Sequence, residues 1–169
     1  MTDYHSLWIM PKGGQYDFFK SLISKLAKKY NAPTFEPHIT LLGDVIESDF
    51  IKNSEQLARQ IKPFKVKIDT VSFSDQYFKC VFALAEKVPE LVKANEAARE
   101  MFNRRGDTEF MPHMSLLYGK MDEEEKRKIA SNIKVNETLD INSFFITDSS
   151  AYSKPSEWNI IKEVKFGQF

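Results

Sequence analysis

The sequence is short of cysteine, of histidine, of unbroken apolar stretches and of net charge. Its one cysteine, Cys80, has no partner for a disulfide within the chain. The longest apolar run, Cys80 to Ala85, is six residues, whereas a membrane-spanning helix needs about 20. Met1 to His5 carry neither the basic start nor the long apolar segment of a secretory leader. These features predict a reducing, cytoplasmic setting and no membrane contact. Lys plus Arg number 24 and Asp plus Glu number 24, so the formal net charge is zero. The broad basic field that grips a polynucleotide is therefore missing, and no stable nucleic-acid complex is expected. A small nucleotide in a pocket is still compatible, because a few aimed donors suffice. Neither the Walker nor the dinucleotide-type glycine signature is present, and Lys12-Gly13-Gly14 reads as a turn. No Pro-, Gly- or Ser-rich linker divides the 169 residues, which predicts one domain spanning the chain.

Two of the three histidines stand in matching contexts. One is Phe35-Glu36-Pro37-His38-Ile39-Thr40-Leu41-Leu42, the other Phe110-Met111-Pro112-His113-Met114-Ser115-Leu116-Leu117. They lie 75 residues apart, close to half the chain. The flanking patterns repeat too. Tyr4–Pro11 reads as a strand, Gln15–Tyr30 as a helix with Phe18, Leu22, Ile23 and Leu26 inward, and Ser48–Lys62 as a second helix capped by Ser48 or Asp49. Lys65–Phe73 alternates as a half-exposed strand. The order then recurs: strand Tyr77–Ala85, helix Pro89–Phe102, the second His motif, and a helix capped by Asp122. Strand Leu139–Tyr152 completes the second unit. The expected architecture is α+β, with two pseudo-symmetric lobes of antiparallel-rich sheet, outer helices and a central cleft. The duplicated β-α-β-α-β units run approximately over residues 4–74 and 77–152, and a closing strand lies near 158–166.

In a strand, residues i and i+2 share a face. His38 therefore sits beside Thr40, and His113 beside Ser115, while Ile39 and Met114 point into a core. Two such strands facing one another surround one point with two imidazoles and two hydroxyls. That set suits a phosphoryl group. The hydroxyls donate to its oxygens, a neutral imidazole takes a proton, and an imidazolium gives one. With no third His or Cys nearby, the pair is a poor metal signature, and neither metal nor cofactor is expected. Cys80, inside an apolar run, reads as an inert buried thiol. His5 has no comparable context and is assigned no role.

These motifs resemble those of the 2H phosphoesterase superfamily. The wider sequence is similar to its plant-type cyclic phosphodiesterase branch, through Tyr4–Pro11, Phe35–Thr40, Tyr77–Leu91 and Met111–Lys128. The resemblance implies metal-independent hydrolysis of nucleoside 2′,3′-cyclic phosphates to 2′-phosphates. It equally implies hydrolysis of ADP-ribose 1″,2″-cyclic phosphate to ADP-ribose 1″-phosphate, at the tail of tRNA splicing and RNA decay. It carries catalytic roles to His38, Thr40, His113 and Ser115, with His113 as base and His38 as acid, and substrate contacts to Trp8, Phe78 and Tyr118. Strict alternation aims Tyr118 away from the His113 face, so its role requires a bend or bulge before Gly119. The expected partner is a small cyclic phosphate bound by a monomer. Two other readings stay open. One is a 2H enzyme acting on RNA ends, either 2′-5′ RNA ligase-like or a 3′-end exonuclease. The other is a non-catalytic nucleotide-binding module.

Overall fold

Short β-branched and aromatic runs separated by amphipathic stretches give an alternating α+β chain. The structure, a computed structural model, describes residues 3–167. In chain order the elements are β1 (His5–Ile9), α1 (Gly13–Tyr30), β2 (Ile39–Val45), α2 (Phe50–Ala58), β3 (Phe64–Phe73), β4 (Val81–Ala85), α3 (Pro89–Met101), β5 (His113–Leu117), α4 (Glu123–Asn132), β6 (Glu137–Ile141), β7 (Ser143–Thr147) and β8 (Ile160–Lys165). No helix among the described residues is long and apolar enough to cross a membrane.

Local chemistry sets several boundaries. α1 ends where Asn31 takes the left-handed conformation at φ 52°, which an asparagine tolerates. Lys28 and Lys29 in its last turn face the negative end of the helix dipole. α4 opens on Asp122, whose Oδ1 accepts from the Glu125 amide at 2.9 Å, followed by three acidic residues. Asp49 occupies the cap position of α2 but makes no side-chain cap bond.

The eight strands form a sheet in the order β6-β3-β4-β5-β2-β1-β7-β8, with every pairing antiparallel. β5 and β2 meet at the middle through a single pair, Ile39 with Met114. Four strands lie to either side of that seam. The two sides are interleaved in sequence: β3 pairs with β4 and β6, whereas β7 and β8 extend the side that holds β1 and β2. The helices cross the seam as well. α1 packs on β5 and α3 on β2, while α2 covers β7 and β8, and α4 covers β3 and β4. One apolar cluster runs through both sides, from Phe19 and Ile23 through Ile39 and Met114 to Leu139 and Phe144. A smaller cluster joins Cys80, Val81 and Leu117 to Ile129 and Ala130.

Several expected details differ. Tyr77–Lys79 is a 3₁₀ turn rather than the start of a strand. Leu139–Tyr152 is not one strand: it breaks at Asn142 between β6 and β7, and after Thr147 the chain leaves the sheet. On α1 the buried row is Phe19, Ile23 and Ala27; of the expected residues Ile23 is buried, Leu22 and Leu26 pack half-buried against the core, and Phe18 is exposed. The helix axis lies over β5, so the spacing of four is kept while its phase is set by tertiary contact.

Candidate active site

The cleft is built from the seam outward. Ile39 and Met114 are fully buried on the core side of the β2–β5 pair. Their neighbours His38, Thr40, His113 and Ser115 therefore face the other way. With Ile39 opposite Met114 in an antiparallel ladder, position 38 shares a row with 115, and 40 shares a row with 113. Each imidazole thus stands across from the other motif's hydroxyl.

The two prolines give both histidines one local geometry. His38 Nδ1 lies 2.7 Å from the Glu36 carbonyl oxygen, and His113 Nδ1 lies 2.8 Å from that of Met111. A carbonyl only accepts, so each Nδ1 carries a proton and each neutral ring presents a bare Nε2. Pro37 and Pro112 sit between donor and acceptor and hold φ near −65°. Burial pushes His38 down to about 4, an effect the Glu36 carbonyl opposes and His113 reinforces. Burial also lowers His113, opposed by the Met111 carbonyl and reinforced by the charge of Lys79. At neutral pH both imidazoles are therefore neutral in the free protein.

All seven residues singled out from the sequence line this cleft of about 560 Å³, its open mouth included: His38, Thr40, His113, Ser115, Trp8, Phe78 and Tyr118. Ser115 Oγ donates to the Phe78 carbonyl at 2.6 Å, so the 3₁₀ turn found at the start of the expected strand orients this hydroxyl. Tyr118 reaches the cleft because the β4–β5 register slips. Val81 pairs with Leu117 but Phe82 with Ser115, so β5 carries one extra residue. The Tyr118 ring stacks on Phe35 at 3.7 Å, and burial raises its hydroxyl above the usual range. Trp8, 3% exposed, lies face to face with His38, the ring centres 3.8 Å apart at 11°.

The remaining wall comes from residues outside the sequence expectation: Ser6, Gly43, Asp44, Ser149, Ser150, Ala151 and Trp158. Ser6 was accessible to alternation, since it shares a strand face with Trp8. Asp44 and Trp158 carried no such signal. Asp44 turns left-handed at φ 56°. Its amide donates to Ser6 Oγ at 3.3 Å, and its Oδ1 accepts from the Ala151 amide at 2.9 Å. Ser6 Oγ donates in turn to the Ser149 carbonyl at 2.9 Å. From the loop after α3, Arg104 donates to the Gly43 and Asp44 carbonyls at 3.0 and 3.1 Å and pairs with Asp107.

An antiparallel sheet with paired His-x-[Thr/Ser] strands at its central cleft defines the 2H phosphoesterase class. The fold matches that of E. coli LigT, in a crystal structure with 3′-AMP, at a TM-score of 0.66 and 14% identity, covering 99% of this chain and 100% of that one. Within the class, the chain belongs to the cyclic phosphodiesterase-like protein family, whose pattern matches residues 4–166. It is 34% identical to the cyclic phosphodiesterase of Arabidopsis thaliana over 127 residues, 74% of this chain and 70% of that protein. It is 26% identical to the 2′,3′-cyclic-nucleotide 3′-phosphodiesterase of Yarrowia lipolytica over 141 residues, 76% of this chain and 62% of that protein.

Proposed function

We propose that this protein is a metal-independent cyclic phosphodiesterase. On this reading it opens nucleoside 2′,3′-cyclic phosphates to nucleoside 2′-phosphates, and ADP-ribose 1″,2″-cyclic phosphate to ADP-ribose 1″-phosphate. The observation that carries the reading is the pair of imidazoles flanking the seam, each with Nδ1 bonded to its own backbone and Nε2 left for substrate. The names of the Arabidopsis and Yarrowia relatives support the same reaction class. Two imidazole nitrogens and two hydroxyls fall short of the three or four ligands that hold a resident zinc.

In the proposed step, His113 Nε2 removes a proton from water as its oxygen attacks phosphorus. The bond from phosphorus to the 3′-oxygen breaks, and His38 delivers a proton from Nε2 to that oxygen. Thr40 and Ser115 hold the non-bridging oxygens, where negative charge grows. Ser115 releases the Phe78 carbonyl to do so, a rotation about one bond. His38 is neutral in the free protein and gains its proton when the anionic phosphodiester enters, because a nearby negative charge favours the imidazolium.

The test is product analysis with a nucleoside 2′,3′-cyclic phosphate in excess EDTA. The expected product carries phosphate on the 2′-oxygen, at a rate the chelator leaves unchanged. Phosphate on the 3′-oxygen, or activity lost to the chelator and restored by zinc, overturns the reading.

A further inference from the structure

Trp8 and Phe82 occupy equivalent places on the two sides of the seam. Trp8 pairs with Thr40 across β1–β2, and Phe82 pairs with Ser115 across β4–β5. Their relation to the neighbouring imidazole is different. The Trp8 indole lies flat against His38, at 3.8 Å and 11°, whereas Phe82 meets His113 at 5.5 Å and 70°. The motif is repeated, but among the described residues only His38 of the pair has an aromatic face for a bed.

An indole face is electron-rich and attracts a cation placed over it, more strongly where water is excluded. Stacked this way, Trp8 favours the charged state of the ring it touches. It is also too occupied on that face to stack a nucleobase there. We propose that Trp8 acts through His38: it supports the imidazolium and fixes the ring plane, so that His38, not His113, is the proton donor to the departing oxygen. Trp8 is thus a positioning residue, and its role rests on the two-histidine reading given above.

The surroundings of His38 make this support matter. Diagonally across the seam stands His113, one row from the Ser115 that faces His38, and its charge opposes a second one. The Glu36 carboxylate is engaged with Tyr16 and Lys20. Trp158 meets His38 edge-on at 6.4 Å. Asp44 is the acidic side chain lining the same cleft, held there by the Ala151 amide. The Glu36 carbonyl at Nδ1 favours the charged ring; beyond it and the arriving phosphate, the Trp8 face is the group stacked on His38 that would do the same.

The test separates this role from simple burial by sign. If Trp8 only buries His38, removing it lets water in and the imidazole becomes easier to protonate. If its face supports the cation, removing it makes protonation harder. The three histidines are titrated by NMR in protein saturated with inorganic phosphate, with Trp8→Leu and Trp8→Phe beside the parent. We expect the His38 midpoint to fall by roughly half to one pH unit in Trp8→Leu, by less in Trp8→Phe, and the His113 midpoint to stay in place. A rise, no movement, or an equal shift of both histidines overturns the proposal. Should Trp8→Leu not fold, fluorinated tryptophan placed at position 8 keeps the shape and drains the face. A stepwise fall with added fluorine is then expected, and constancy overturns it. The titration needs no turnover, so a protein that fails to open a cyclic nucleotide refutes the proposed reaction separately.

Discussion

His38 is the residue at which burial, protonation and the proposed chemistry meet. Its midpoint near 4 lies below the unfolded value of about 6.5. The unfolded chain therefore binds more protons between those limits, and stability is lost as pH falls from about 6.5 towards 4. The loss attributable to this ring is of order 3 kcal/mol. His38→Gln is expected to flatten that part of a plot of unfolding free energy against pH, measured by urea titration. In catalysis, His38→Ala and His113→Ala should each lower kcat by at least about 10²-fold, with circular dichroism unchanged. Because both rings are pushed down in the free protein, the kcat/KM profile should be bell-shaped with its maximum below about pH 6.5. The kcat profile should be displaced upward by the bound anion. The motif made the four proposed catalytic positions legible, since Pro-His-x-[Thr/Ser] fixes which side chains share a face. The direction of the pH shift was not legible. It depends on how deeply the seam is buried and on the Trp8 stack, and both are set by strands far apart in sequence.

At the scale of elements, the cleft holds its shape through polar ties that hydrophobic patterning does not reveal. Asn95, buried on α3, donates from Nδ2 to the Leu41 carbonyl at 2.8 Å, pinning the helix to β2 one residue beyond Thr40. Asn95→Ala removes that donor and leaves a buried carbonyl unpaired, which should cost about 1–3 kcal/mol in denaturant unfolding. Arg104 plays the corresponding part on the loop after α3, and it fastens the segment from Asn103 to Glu109 against β2 rather than leaving it free. The helices themselves were legible from their spacing of three and four. Their phase was not, as the exposed Phe18 and buried Phe19 show, because it follows from which strand the helix crosses. The 3₁₀ turn at Tyr77–Lys79 was missed for a related reason. Its sequence has strand-like residues, but the Ser74 hydroxyl donates to the Lys79 carbonyl and the Ser74 amide to the Cys80 carbonyl, which close it locally.

At the scale of the whole molecule, the sides of the sheet cannot be taken apart. On the reading that residues 4–74 and 77–152 are copies of one unit, the copies have exchanged partners: β3 lies among the second set of strands, and α1 and α3 each pack across the seam. A fragment of residues 1–74 would leave β3 without β4 and β6, and should show no cooperative thermal transition by circular dichroism. The repeated order of elements was legible in the sequence. The exchange was not, because strand pairing between distant segments leaves no periodic trace. The architecture also puts both of the chain's tryptophans, Trp8 and Trp158, on the wall of one cleft. Their ultraviolet emission therefore comes from a single place, so that its colour and intensity form a built-in optical gauge of whether that place is filled.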